Sequence, residues 1–112
     1  MLLLNLVGAG SGLEYSNSST GFRSCFLSFP SGARLELMAG PGFGGGIEDP
    51  GSRQRGWAHI AISVGSEEAV DDLTRRIEKA GYVILDSPRH TGDGSHESVI
   101  LDPDGNRVEV TI

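Results

Sequence analysis

Three residues in this sequence have types and settings suited to holding a divalent ion or moving a proton: His59 in WAHIAISV, Glu109 in NRVEV and Glu36 in ARLEL. Neutral imidazole and ionised carboxylate are the donors that borderline divalent metals take. Each stands in an alternating apolar/polar segment, so its face follows from the two-residue period of a strand. In the last segment Val108, Val110 and Ile112 point one way, and Arg107, Glu109 and Thr111 the other. In Trp57–Val64, Ala58, Ile60, Ile62 and Val64 form one face, and Trp57, His59, Ala61 and Ser63 the other. With each apolar face packed on a helix, the opposite faces carry His59, Glu109 and Glu36, with Arg34 and Arg107 beside the glutamates. Taken singly, each has a plain alternative. A strand histidine is commonly just half-buried, and a glutamate beside an arginine is commonly a surface ion pair.

A repeat changes that balance. Val99–Val110, VILDPDGNRVEV, reads as strand, turn and strand, with Pro103 early in the turn and Gly105 at its left-handed position. Phe26–Leu37, FLSFPSGARLEL, has the same grammar 73 residues earlier, with Pro30, Gly32, Arg34 and Glu36 falling on Pro103, Gly105, Arg107 and Glu109. The shared P-x-G-x-R-φ-E-φ pattern (φ apolar) points to an internal duplication. Glu36 and Glu109 then occupy equivalent positions, and a pseudo-twofold would bring them to one central site. His59 would have its own equivalent on a strand preceding residue 1.

The elements that must position these residues follow from the same offset. Residues 66–81, SEEAVDDLTRRIEKAG, predict a helix capped by Ser66, favoured at its positive end by Glu67 and Glu68 and ended by Gly81. Val70, Leu73, Ile77 and Ala80 form its apolar stripe, with Asp71–Arg75 and Asp72–Arg76 as i,i+4 pairs. Shifted by 73, Gly81 falls on Gly8 and Ile77 on Leu4, so MLLLNLVG reads as the end of a matching helix. Gly8–Gly12 is then a turn and Leu13–Ser16 a short strand. Phe22–Phe29 with Ala33–Met38 form the first hairpin. Tyr82–Leu85 is a strand, and Asp86–Ser95, DSPRHTGDGS, a polar loop suited to act as a lid. The expected organisation is a partial module over 1–38, a Gly/Pro-rich linker over 39–56 and a complete module over 57–112. The chain thus reads as one and a half β-α-β-β-β units. The GFGGG run of the linker is no phosphate loop, since it lacks the strand–helix context and the Lys-Ser/Thr pair.

Composition bounds the partners. The 112 residues carry 9 basic and 15 acidic side chains for a net charge of −6, and the basic residues cluster no further than Arg53 and Arg55. Nucleic acid and anionic membranes are therefore not expected partners. The single Cys25 lies in an apolar alternating run, as a small hydrophobe rather than a nucleophile, and favours a reducing, cytoplasmic setting. MLLLNLVGAG lacks the basic start of a signal peptide and is too short to span a bilayer.

HIAISV, the capped helix and ESVILDPDGNRVEV together resemble the vicinal oxygen chelate superfamily, which includes glyoxalase I, bleomycin-resistance proteins, fosfomycin-resistance enzymes and extradiol dioxygenases. The resemblance covers residues 9–112 and is strongest over 57–112. It implies an α+β fold in which paired βαβββ modules form a cup-shaped mixed sheet, here with the first module incomplete. It also implies a divalent metal (Ni, Zn, Mn or Fe) on the cup wall. His59 matches the ligand on the first strand of module two, Glu109 that on its last strand, and Glu36 that on the last strand of module one. The first strand of module one, which brings a further His or Gln in the family, has no counterpart here. Three protein ligands and a water still make a workable catalytic site. An unpaired sheet edge invites a second chain, so a homodimer is expected.

One histidine and two carboxylates suit a glyoxalase-like lyase or isomerase better than an iron dioxygenase, which the family builds from two histidines and one glutamate. The expected substrate is a small oxygen chelator such as a hemithioacetal, with Glu109 or Glu36 as the base. Cys25, His90, Asp93, His96 and Glu97 stand as further pocket candidates. A second reading is a metal-free sequestering protein of the bleomycin-resistance type, which the few aromatic residues (Trp57, Phe22, Phe26) disfavour. A third is an inactive chain that folds only as an oligomer.

Overall fold

The computed structural model describes residues 8–44 and 56–112. Residues 1–7 of the helix end read over 1–8, and the part of the linker over 45–55, lie outside the described residues. The chain divides into two compact units, Met1–Gly45 and Gly46–Ile112.

In the second unit, strand β5 (Ile60–Ser63) leads into helix α1 (Glu67–Lys79), followed by β6 (Ile84–His90), β7 (His96–Leu101) and β8 (Arg107–Thr111). The sheet order is β5-β8-β7-β6, with β6, β7 and β8 an antiparallel meander and β5 parallel to β8. This is a βαβββ unit, the parallel pair being reached through the helix. Ser66 caps α1, its side chain accepting from the Ala69 N–H, and Gly81 follows at φ 90°. The predicted stripe is packed at three of its four positions, Ala80 being exposed. Val70, Leu73 and Ile77 are buried against Ile100, Val108 and Val110, all at 9% exposure or less. Thr74 joins that face through hydrogen bonds to the Val70 carbonyl (2.7 Å) and the buried Ser98 hydroxyl (2.6 Å).

The first unit presents β1 (Gly10–Ser11), β2 (Tyr15–Asn17), β3 (Phe22–Ser28) and β4 (Arg34–Ala39). Strand β3 is central, pairing with β1 and β2 along one edge and β4 along the other. Ala9 and Leu27 form its small buried cluster, with Cys25, Phe29 and Leu35 packed on it.

The 73-residue repeat holds at the level of individual pairs. Phe26 lies opposite Glu36 and Ser28 opposite Arg34; Val99 lies opposite Glu109 and Leu101 opposite Arg107. Both hairpin turns close with the same bonds: Gly32 N–H to Phe29 O (2.9 Å) and Gly105 N–H to Asp102 O (3.0 Å). Gly32 and Gly105 sit at φ 91° and 84°, where a Cβ would be strained. Strand β6, shifted by 73, spans residues 11–17, so β1 and β2 are two pieces of its counterpart, broken around Gly12–Glu14.

Four local expectations need correction. Gly8–Gly12 contains strand β1 rather than a turn alone. The strand over Trp57–Val64 is shorter, since pairing with β8 begins at Ile60, which leaves Trp57 99% exposed. The first half of the lid over Asp86–Ser95 is strand β6, and only Thr91–Ser95 turns. Pro88 is tolerated because β6 is an edge strand with register shifts on either side of Asp86. Finally, the paired charges on α1 differ. Arg75 meets Asp72 at 2.7 Å, while Asp71 turns instead to His96.

Candidate functional site

Alternation along β8 and β7 decides which side chains meet. Val108 and Val110 face the helix, so Glu109 faces away from it. On β7, His96, Ser98 and Ile100 are on the helix side, which sends Glu97 to the same open face as Glu109. Glu97 lies opposite Thr111 and Val99 opposite Glu109, making the two glutamates diagonal neighbours. His59, one residue before β5, reaches across the parallel pair: its Nε2 lies 3.3 Å from Glu109 Oε2. Arg89 on β6 closes the row, 3.5 Å from Glu97 and 4.0 Å from Asp86.

The electrostatics single out Glu109. Burial, first, and then the Glu97 carboxyl, by its charge and by a hydrogen bond, hold the Glu109 carboxyl above the ordinary glutamate value. His59 and Arg89 act in the opposite sense. Glu109 is therefore a sheltered carboxyl with 17% of its side chain exposed, facing an imidazole that is 43% exposed. His59 and Glu109 offer an imidazole and a carboxylate, donor types that a divalent cation takes, and Glu97 stands beside Glu109.

The other sequence candidates lie on other elements or on the opposite face of the second sheet. Glu36 is exposed on β4 of the first unit, on the face of Phe26 and Arg34, whose guanidinium lies 4.4 Å from the Phe26 ring centroid. The face predicted for it is observed, with Leu27 and Leu35 on the other side. Cys25 is a free, half-buried thiol beside the Leu27 cluster. Asp93 is engaged by its own turn. The Thr91 hydroxyl and Ser95 N–H donate to it and hold its carboxyl below the usual range. His90 and His96 are paired residues on the helix side of the sheet, away from Glu109.

Glu97 is thus the one of these further candidates that joins His59 and Glu109. Arg89 was not among the expected residues. Its signal is visible only after β6 is recognised as a strand, because the loop reading assigned it no face.

The model of the Glyoxalase/Bleomycin resistance protein/Dioxygenase superfamily matches residues 14–110. No curated protein matches the sequence. Among solved structures, a glyoxylase/bleomycin resistance protein/dioxygenase domain from Frankia sp. EAN1pec superposes with a TM-score of 0.75 at 20% identity, over 96% of this chain and 80% of that one. Glyoxalase I from Zea mays gives 0.74 at 23% identity, over 93% of this chain but 36% of its own. A glyoxalase family protein from Enterococcus faecalis gives 0.73 at 20%, over 98% and 82%. This chain therefore spans about a third of the maize enzyme and most of the two bacterial chains.

Proposed function

Because the chain belongs to the Glyoxalase/Bleomycin resistance protein/Dioxygenase superfamily, we propose that it is a glyoxalase-like, metal-dependent lyase or isomerase acting on a small oxygen-chelating substrate such as a hemithioacetal. The observation that carries this reading is the His59–Glu109 pair, 3.3 Å apart just before the start of β5 and on β8, with Glu97 beside it. On this reading His59 and Glu109 would hold a divalent ion (Ni, Zn, Mn or Fe), with Glu36 as the further carboxylate that the family resemblance implies. Such an ion would supply Lewis-acid polarisation of a substrate carbonyl.

The chain's own residues supply the rest. The base on this reading is a carboxylate, Glu109 or Glu36. It accepts a proton from the carbon next to the substrate carbonyl and returns it to the neighbouring carbon. Arg89 limits the accumulation of negative charge by pairing with Glu97. The same reading takes the protein as a homodimer in a reducing, cytoplasmic setting, in keeping with its free thiol.

The test is metal content together with turnover of hemithioacetals made from 2-oxoaldehydes and thiols. Wild-type protein is expected to bind metal at His59 and to isomerise the substrate, and His59→Ala to lose both. Glu109→Gln or Glu36→Ala protein with undiminished turnover would remove those residues from the proposed machinery. Wild-type protein that takes up no ion dependent on His59 would sink the metal reading and leave a sequestering module.

A further inference from the structure

A second histidine cluster lies on the opposite side of the same sheet. His90 at the end of β6 and His96 at the start of β7 are cross-strand partners whose ring centroids lie 4.6 Å apart with the planes tilted by 51°. The first turn of α1 supplies Glu67, whose Oε1 is 2.9 Å from His90 Nε2. One turn further, Asp71 Oδ1 is 2.8 Å from His96 Nε2. One donor atom from each of Glu67, His90 and His96 lies within 4.8 Å of the others.

His96 makes this cluster more than a pair of surface ion contacts. Its side chain is 9% exposed, and its Nδ1 is buried with no hydrogen-bond partner among the described residues. A neutral imidazole that donates its Nε2 proton to Asp71 leaves a bare Nδ1 lone pair in the interior. The other tautomer buries an unmatched N–H and turns a lone pair toward a carboxylate. Either arrangement leaves a polar group unsatisfied, which native interiors avoid. A cation resolves the first arrangement directly. An imidazole held by a carboxylate through one nitrogen and by a metal through the other is a recurrent way of orienting a ligand.

We propose that Glu67, His90 and His96, with Asp71 orienting His96, form a second divalent-cation site on the helix side of the sheet, separate from the His59–Glu109 face. Two imidazoles and a carboxylate select a borderline ion of the zinc class over calcium or magnesium, which take all-oxygen sets. The helix N-terminus by itself disfavours a cation, and the Glu67 and Asp71 carboxylates counter it. His90 and Glu67 are 65% and 54% exposed, so the ion sits at the surface with room for a water or an anionic ligand in its remaining position. Its three ligands come from α1, β6 and β7, so binding clamps the start of the helix to the end of the sheet.

The test uses the full chain carrying His59→Ala and Glu109→Gln, so that the first face does not contribute. Zn(II) binding is followed by calorimetry and Co(II) binding by its visible absorption. About one equivalent of either ion per chain is expected, with a rise in melting temperature that scales with free metal. His90→Ala and Glu67→Gln, both at exposed positions, are expected to abolish that equivalent while leaving circular dichroism unchanged. Asp71→Asn should weaken binding by about 10–100-fold. Imidazole nitrogen shifts in NMR should move at His96 on Zn(II) addition. Background protein that binds no ion, or binding unaffected by His90→Ala and Glu67→Gln, overturns the site. Because the background already lacks His59 and Glu109, failure of the glyoxalase reading leaves this result readable on its own.

Discussion

Glu109 is pressed from two directions: burial and Glu97 raise its proton affinity, while His59 and Arg89 lower it. Replacing Glu97 with Gln removes the like charge, so the Glu109 carboxyl is expected to titrate closer to the ordinary glutamate value, as read by carbon NMR of the side-chain carboxyl. No downward movement would mean that burial alone sets the shift. The same group makes stability depend on pH. Its folded value lies above its unfolded one, so its contribution is fully present below the unfolded value and lost as pH rises through the folded value. Thermal melts of wild type and Glu109→Gln between about pH 4 and 7 should show the wild type losing ground as pH rises. A constant difference across that window would contradict the raised value.

At the scale of elements, the helix is tied to the sheet by a hydrogen-bonded pair inside an apolar interface. The Thr74 hydroxyl gives its proton to the Val70 carbonyl, which leaves the Ser98 hydroxyl to donate to Thr74. Thr74→Val strands the Ser98 proton in a fully buried place and is expected to cost about 1–3 kcal/mol in denaturant unfolding. Adding Ser98→Ala should recover much of that loss, because both polar partners are then gone. Equal stability of the single and double variants would count against this pairing. The two hairpin turns offer a parallel test of the repeat. Gly32→Ala and Gly105→Ala each force an alanine into a left-handed conformation, at a cost of about 1–2 kcal/mol. Asp102 accepts from the backbone of Asp104 and Asn106 and from the Asn106 side chain, and Phe29 stands in its place in the first hairpin. The second turn is thus the better braced of the two, and its variant should retain more native hairpin structure.

At the scale of the whole molecule, the two units share a strand grammar but not a content. The described residues of the first unit form a sheet around β3, and the second unit forms a full βαβββ. None of the described helices is long and apolar enough to cross a membrane. The proposed homodimer is checked by sedimentation equilibrium at micromolar protein, where a mass near twice 11.8 kDa is expected and a single-chain mass would refute it.

The sequence by itself determined the repeat, the capped helix with its buried stripe, both hairpins and the faces of Glu36 and Glu109, because all of these follow from local periodicity and turn chemistry. Tertiary pairing decided the rest. Pro88 and the charged DSPRH run read as a loop until an edge position and register shifts made them β6, and only then did Arg89 acquire a face. His90 and His96 looked like loop residues near a pocket, but cross-strand register placed them together on the helix side. Asp71 carried an i,i+4 partner in its own helix and was taken instead by a buried histidine 25 residues away in sequence. Local patterns report which face a side chain occupies; which other element supplies its neighbour is set by long-range register, which short-range periodicity does not encode.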